Sequence, residues 1–194
     1  ELPLQAVDQL FAVSGSCSPT TADQIAFAES QGFQVFDFDA ATAIDQTALN
    51  AEVARAKKSC LGLLSHGHDV IVATARGPGD PAITRMLNAI EASRISAQTA
   101  YERLAKALGK LTKEICTQTT MPRIAICGGD TSGHSLSALQ ATALAFVAPI
   151  EPGAPLCKLY SPETSGIDGL EVTLKGGQMG TPAFFVKAKG GLKS

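Results

Sequence analysis

Tryptophan is absent from this chain of 194 residues, and aromatic side chains make up only 5% of it. A core must therefore be built from Ala, Val, Leu and Ile. No apolar run approaches the roughly 18 residues that a membrane-spanning helix needs, so none is expected. Basic clusters are missing too, and a net charge of −2 supplies no field that would draw nucleic acid. The five cysteines, Cys17, Cys60, Cys116, Cys127 and Cys157, contain no Cys-x-x-Cys pair and are odd in number. That pattern fits reduced thiols in the cytoplasm and argues against a disulfide framework or a zinc site. His66 and His68 flank Gly67 with no third ligand at metal-binding spacing, so they read as a helix-to-strand corner and no metal ligand set is assigned. The chain opens at Glu1 without a basic-then-apolar leader, which points to a processed or excised polypeptide.

What is present is an ordinary globular composition, 45% hydrophobic and 18% charged, with no repeat and no linker. One domain over residues 1–194 is the simplest organisation. Leu10-Phe11-Ala12-Val13 reads as a strand that runs into a loop at Ser14-Gly15. Pro19 opens a helix, with Thr21 and Gln24 at capping-box spacing, and Gly32 closes it. Residues 33–38 alternate at period two like a strand. Leu49, Val53, Ala56, Cys60 and Leu63 recur at helical spacing, and 69–74 is a buried strand. Arg76-Gly77-Pro78-Gly79-Asp80-Pro81 is loop, with Arg76 a solvated side chain rather than a phosphate ligand. Tyr101, Leu104, Leu108, Leu111 and Ile115 mark a second long helix. Short strands at 157–160 and 169–174 finish the sheet in antiparallel fashion. Strands alternating with amphipathic helices imply an α/β fold of three layers, α/β/α, with a mostly parallel mixed sheet.

The most informative segment is Gly128-Gly129-Asp130-Thr131-Ser132-Gly133. It follows the apolar strand 124–127 and precedes a helix that reads from His134. A helix N-terminus presents unpaired N–H groups and the positive end of its dipole, and glycine lets an anion approach closely. Thr131 or Ser132 is placed to cap the helix or to donate to a phosphate oxygen. For a Gly-Gly pair taken alone, a tight turn with an ordinary N-cap explains the residues equally well. Neither G-x-G-x-x-G nor G-x-x-x-x-G-K-[ST] occurs, which weakens a Rossmann-type dinucleotide reading.

The hexapeptide resembles the signature of the four-carbon acid sugar kinases, in their C-terminal nucleotide-binding domain. Ser14-Gly15-Ser16-Cys17-Ser18-Pro19-Thr20-Thr21 is similar to the serine-rich loop after that family's first strand. Leu174-Lys175-Gly176-Gly177-Gln178-Met179-Gly180 is similar to its Lys-x-Gly-Asn-x-Gly loop, and Phe184-Phe185 follows as in many members. The Pro152-Gly153-Ala154-Pro155-Leu156 turn also fits. Two positions depart from the pattern: Gln178 stands where many members have Asn, and Ala183 where an acidic residue often precedes the Phe pair. The resemblance spans nearly the whole chain but only the C-terminal half of such an enzyme.

It implies binding of ATP with Mg2+ by Ser14, Ser16, Ser18, Gly128, Gly129, Asp130, Thr131, Ser132, Gly133, Lys175, Gly176, Gly177 and Gly180. The implied reaction is transfer of the γ-phosphoryl group to the terminal hydroxyl of threonate, erythronate or a 3-oxo-tetronate. That acid would be held mainly by an N-terminal domain absent from this sequence, so this chain alone is expected to be inactive. Asp130 is the candidate catalytic residue, as a magnesium ligand or as a base on the acceptor hydroxyl, with a turn-stabilising role as its structural alternative. Lys175 reads equally as a phosphate partner and as a surface lysine at a strand end. A non-catalytic ligand-binding or interaction module keeping the fold is the reading from another class, and a homodimer is open under both.

Overall fold

The computed structural model describes residues 4–190. Strands β1 (Phe11–Ser14), β3 (Val70–Ala73) and β4 (Arg123–Cys127) are buried along their whole length. They read as unbroken apolar runs because a parallel strand covered on both faces has no solvent side. With β2 (Gln34–Asp37), β5 (Ala143–Glu151), β6 (Ala154–Tyr160) and β7 (Glu171–Lys175) they form a seven-stranded sheet of order β2-β3-β1-β4-β7-β6-β5. The first five in that order are parallel, and β6 and β5 complete the sheet antiparallel. This is the α/β architecture expected from the sequence. One detail differs: β7, expected to be antiparallel, runs parallel to β4 and is antiparallel only to β6.

Alternate residues of each strand serve opposite faces. Leu10, Ala12, Ile71, Ala73 and Ala125 meet Ile25 and Ala28 of α1 (Pro19–Ser30) and Phe184 and Phe185 of α6 (Phe184–Lys189). Phe11, Val13, Val70, Val72, Ile124 and Ile126 meet the other helical layer. That layer comprises α2 (Gln46–Ser65), α3 (Pro81–Ala92), α4 (Ala97–Gln118) and α5 (Gly129–Ala138). Each Leu or Ile fully buried in these layers contributes roughly 1.5–3 kcal/mol.

Several boundaries move for identifiable reasons. The cap of α1 is Ser18, whose Oγ accepts from the Thr21 N–H, with Pro19 at the first helical position; Thr21 and Gln24 do not form a capping box. The stretch read as loop ends in α3, opened by Asp80 as cap and Pro81, an arrangement that suits a helix start. Strand β5 went unforeseen because Pro149 and two register breaks interrupt its alternation. His66 caps the end of α2 and its Nδ1 lies 2.7 Å from the Gly62 carbonyl, which makes the His-Gly-His segment a corner.

The chain leaves β1 into α1 on one face and leaves β4 into α5 on the other. The neighbouring pair β1 and β4 is therefore a topological switch point, where a crevice opens beyond the carboxyl ends of the strands.

Candidate functional site

Parallel register brings the three glycine-bearing segments to one sheet edge, because Ser14 stands opposite Cys127 and Cys127 opposite Lys175. They touch in a ring. The Gly15 N–H donates to the Cys127 carbonyl at 3.0 Å, and the Gly128 N–H donates to the Lys175 carbonyl at 3.0 Å. The hydroxyls of Ser18 and Thr21 both donate to the Gly177 carbonyl, closing the circle. Gly15 lies so close to α5 that a methyl group built on it would sit 2.1 Å from Thr131 Oγ1.

Helix α5 begins at Gly129, inside the hexapeptide, and not at His134. Gly128 is the residue before the helix and takes φ +108°, a backbone region that favours glycine. No side chain caps the helix. Neither candidate hydroxyl accepts from those N–H groups: Ser132 Oγ donates to the Gly128 carbonyl at 2.7 Å, and Thr131 is buried against Gly15. The N–H groups of the first turn therefore have no intrahelical acceptor and no cap. Gly129 and Gly133 face open space. Asp130 is exposed in that turn, and its carboxylate makes no hydrogen bond or ion pair among the described residues.

The serine loop looks inward. Ser14 is fully buried, and its Oγ accepts from the Ser16 N–H at 3.4 Å. Ser16 Oγ lies 3.0 Å from Thr21 Oγ1, within hydrogen-bonding distance, and Ser18 Oγ accepts from the Thr21 N–H at 3.1 Å. These hydroxyls bind the loop to itself and to Gly177, so what the loop offers outward is main chain. Cys17 is exposed, but burial of its thiol and then the charge of Asp80 push its pKa up, which suppresses thiolate.

Lys175 is not a surface residue; it is 1% exposed. Its ammonium donates to Thr21 Oγ1 at 3.2 Å and to the carbonyls of Gly176 and Gly177 at 3.0 and 3.4 Å, with the Phe184 ring 5.7 Å away. Burial pulls its pKa below the ordinary lysine value, against smaller effects of Cys127 and Glu151.

Two residues that the sequence did not assign to the site hold the far side of the glycine loop. Gln24, fully buried in α1, donates from Nε2 to the carbonyls of Met179 and Thr181 at 2.9 and 3.0 Å. Glu151, buried at the end of β5, accepts from the Thr181 N–H and hydroxyl and pairs with Lys187 at 2.8 Å. Burial works to raise the Glu151 pKa, but the bonds from Lys187 and Thr181 outweigh it and hold the carboxyl below its usual value. Gly180, at φ +87°, leaves no room for a side chain between them. No local pattern could reveal this clamp, since its parts lie far apart in the chain. Arg76 is likewise engaged, pairing with Asp37 at 2.6 Å and Glu29 at 2.7 Å.

A groove of about 380 Å³ adjoins the first turn of α5, lined by Asp130 and His134 and by Gln98, Tyr101, Glu102 and Ala105 of α4. A larger cavity of about 670 Å³, among Asp8, Gln9, Leu64 and Pro122, opens at the opposite sheet edge, away from every glycine loop. Among the described residues no cluster of three His, Cys, Asp or Glu could hold a metal by itself. No described helix is long and apolar enough to cross a membrane.

The fold is a doubly wound α/β domain with an uncapped helix N-terminus and glycine loops at its switch point. Residues 11–185 match the family described as the nucleotide-binding C-terminal domain. The chain is 38% identical over 183 residues to a 3-oxo-isoapionate kinase of Paraburkholderia graminis, covering 94% of this chain and 38% of that protein. It is 31% identical over 170 residues to a D-threonate kinase of Salmonella typhimurium, covering 87% of this chain and 39% of that protein. The chain belongs to the four-carbon acid sugar kinase family, as its nucleotide-binding C-terminal domain. It spans about two fifths of the length of those relatives. The same fold occurs in a Haemophilus influenzae protein, with TM-score 0.76 and 20% identity over 98% of this chain and 42% of that one. It recurs in a citrate-bound, domain-swapped dimeric protein of Bordetella bronchiseptica, with TM-score 0.70 and 22% identity over 95% of this chain and 41% of that one.

Proposed function

We propose that this chain is the ATP-binding part of a cytoplasmic kinase that phosphorylates the terminal hydroxyl of a four-carbon sugar acid such as threonate, erythronate or a 3-oxo-tetronate. The observation that carries this reading is the convergence of the three loops around an uncapped α5 N-terminus, with the buried cation Lys175 beneath one of them. The kinase activities named for the two relatives support the reaction class. The five free thiols suit a reducing compartment.

In this reading the first-turn N–H groups of α5 cradle phosphate oxygens, and the bare Gly129 leaves room for them. Asp130 fits a magnesium site. A carboxylate beside an anion cradle is repulsive by itself, but this one has no side-chain partner among the described residues and would be available to hold a divalent cation that offsets that repulsion. Bound there, Mg2+ would neutralise charge developing on the phosphates. The main chain of the serine and glycine loops orients the triphosphate, and the acceptor hydroxyl must then be held in line by the remainder of the whole protein. Folding of this chain as one domain without turnover is the corresponding proposal.

The test is calorimetry of Mg·ATP binding, paired with an ADP-release assay on threonate, erythronate and 3-oxo-tetronates, with and without a separately expressed N-terminal half. Expected are binding by this chain and turnover only with the partner half. A folded chain with no nucleotide affinity would favour a non-catalytic module, and substrate-dependent ADP release by this chain alone would place the acceptor site within it.

A further inference from the structure

Lys175 has a buried charge and, among the described residues, no carboxylate within hydrogen-bonding distance, a costly arrangement in a protein interior. Glu151 is occupied by Thr181 and Lys187. The ammonium is also sealed from the crevice by the groups it touches, Thr21 and the main chain of Gly176 and Gly177, so it is not itself a phosphate ligand.

Its effect passes through two peptide planes. In a trans peptide the C=O and N–H bonds point in opposite directions. The Gly176 carbonyl turns toward Nζ, which sends the N–H of Gly177 the other way. The Gly177 carbonyl turns toward Nζ and toward the hydroxyls of Ser18 and Thr21, which sends the N–H of Gln178 the other way. Neither N–H has an acceptor among the described residues. Gly176 and Gln178 are exposed. The glycine at 177 is required by the same geometry, since a methyl group there would lie 2.8 Å from Ser16 Oγ. Gln24 and Glu151 pin the loop just beyond, at Met179 and Thr181.

We propose that Lys175 is a positioning residue, and that the main-chain N–H groups of Gly177 and Gln178 form a subsite for a phosphate oxygen of the nucleotide. This deepens the ATP reading above and rests on it. Consecutive N–H groups pointing one way form an anion-binding concavity, and a cation behind them strengthens its field. Because the donors are main chain, Gln178 serves as well as the Asn common in the family pattern.

The experiment is amide NMR of the protein titrated with Mg·ATP and, separately, with inorganic tripolyphosphate. The amide protons of Gly177 and Gln178 should move downfield with both ligands, together with that of Gly129. In Lys175→Met the Gly177 and Gln178 shifts should vanish and Mg·ATP affinity should fall at least tenfold, while the Gly129 response persists. If wild-type protein responds at Gly129 but not at Gly177 and Gln178, the subsite is refuted and the nucleotide reading stands. If Lys175→Met leaves the Gly177 and Gln178 shifts intact, the positioning role is refuted. No response at any loop to either ligand would overturn both the subsite and the ATP reading.

Discussion

Substitution of Gly15 by Ala should separate two walls of the site and reveal how closely they depend on each other. The new methyl would lie 2.1 Å from Thr131 Oγ1, 3.4 Å from Thr131 Cβ and 3.6 Å from Leu108 Cδ1. Non-bonded carbon contacts are comfortable at roughly 3.5–4.0 Å, so only the hydroxyl is in serious conflict. Neither side yields easily. Gly15 is tied to Cys127 by its N–H, and Thr131 is buried in the first turn of α5. Overpacking of this kind costs about 1–3 kcal/mol. Displacing the serine loop by about 1 Å should also weaken Mg·ATP binding by about 10- to 100-fold, the scale on which misplacement of binding groups is felt. Thr131→Ala removes the offending oxygen and leaves a Cβ at 3.4 Å, so the double variant should recover most of both losses. Urea unfolding and calorimetry of the four proteins give a double-mutant cycle, with an expected coupling of about 1–2 kcal/mol. Strictly additive effects would refute a direct contact between the serine loop and α5.

Four further outcomes are expected. Gly128→Ala should destabilise by about 1–3 kcal/mol through φ +108° alone, since its Cβ would meet nothing nearer than 3.5 Å; urea unfolding reads this directly. The Glu151 carboxyl is held below its usual pKa, so its contribution to stability is complete above the unfolded value of about 4.3 and is lost as pH falls through the folded value. Acid melting curves of Glu151→Gln should lack that part of the loss. Lys175 releases its proton more readily in the folded protein, so stability should rise with pH between its folded and unfolded pKa values while Mg·ATP affinity falls; denaturation and calorimetry on the alkaline side separate the two trends. Cys60, Cys116 and Cys127 are buried and their thiols are pushed up to about 12, so a thiol reagent at mildly alkaline pH should label only the more accessible Cys17 and Cys157 until denaturant is added.

The parts of the fold legible in the sequence are those that local periodicity encodes. The apolar runs at 10–13, 69–74 and 124–127 became central parallel strands, and the Tyr101 to Ile115 stripe became α4. Errors arose where a residue serves two grammars. Gly-Gly suggested a turn ahead of the helix, yet only Gly128 takes a positive φ and Gly129 is already helical. Asp80-Pro81 suggested loop and proved to be a helix start. Within the site, the glycine loops were visible as motifs, but the direction of the serine hydroxyls and the burial of Lys175 were not. Those depend on Thr21, Gly177 and Phe184 meeting in space. Glu151 went unnoticed and Gln24 was read only as a cap for the same reason, because the loop residues they bond lie 30 and 155 residues away in sequence.

The position of β7 has a consequence for how the molecule is made. It is the last of the described strands in sequence, yet it lies between β4 and β6 in the sheet. Until residues 171–175 emerge from a ribosome, the inner edge of β4 and one edge of β6 have no partner, and neither is built to face water. Such edges are templates for pairing with another chain. Late, non-local strand insertion is also slow and leaves incomplete species open to aggregation. The same strand delivers Lys175 and the glycine loop beyond it. Closure of the sheet and completion of the crevice are therefore one event, and a chain halted before β7 has neither.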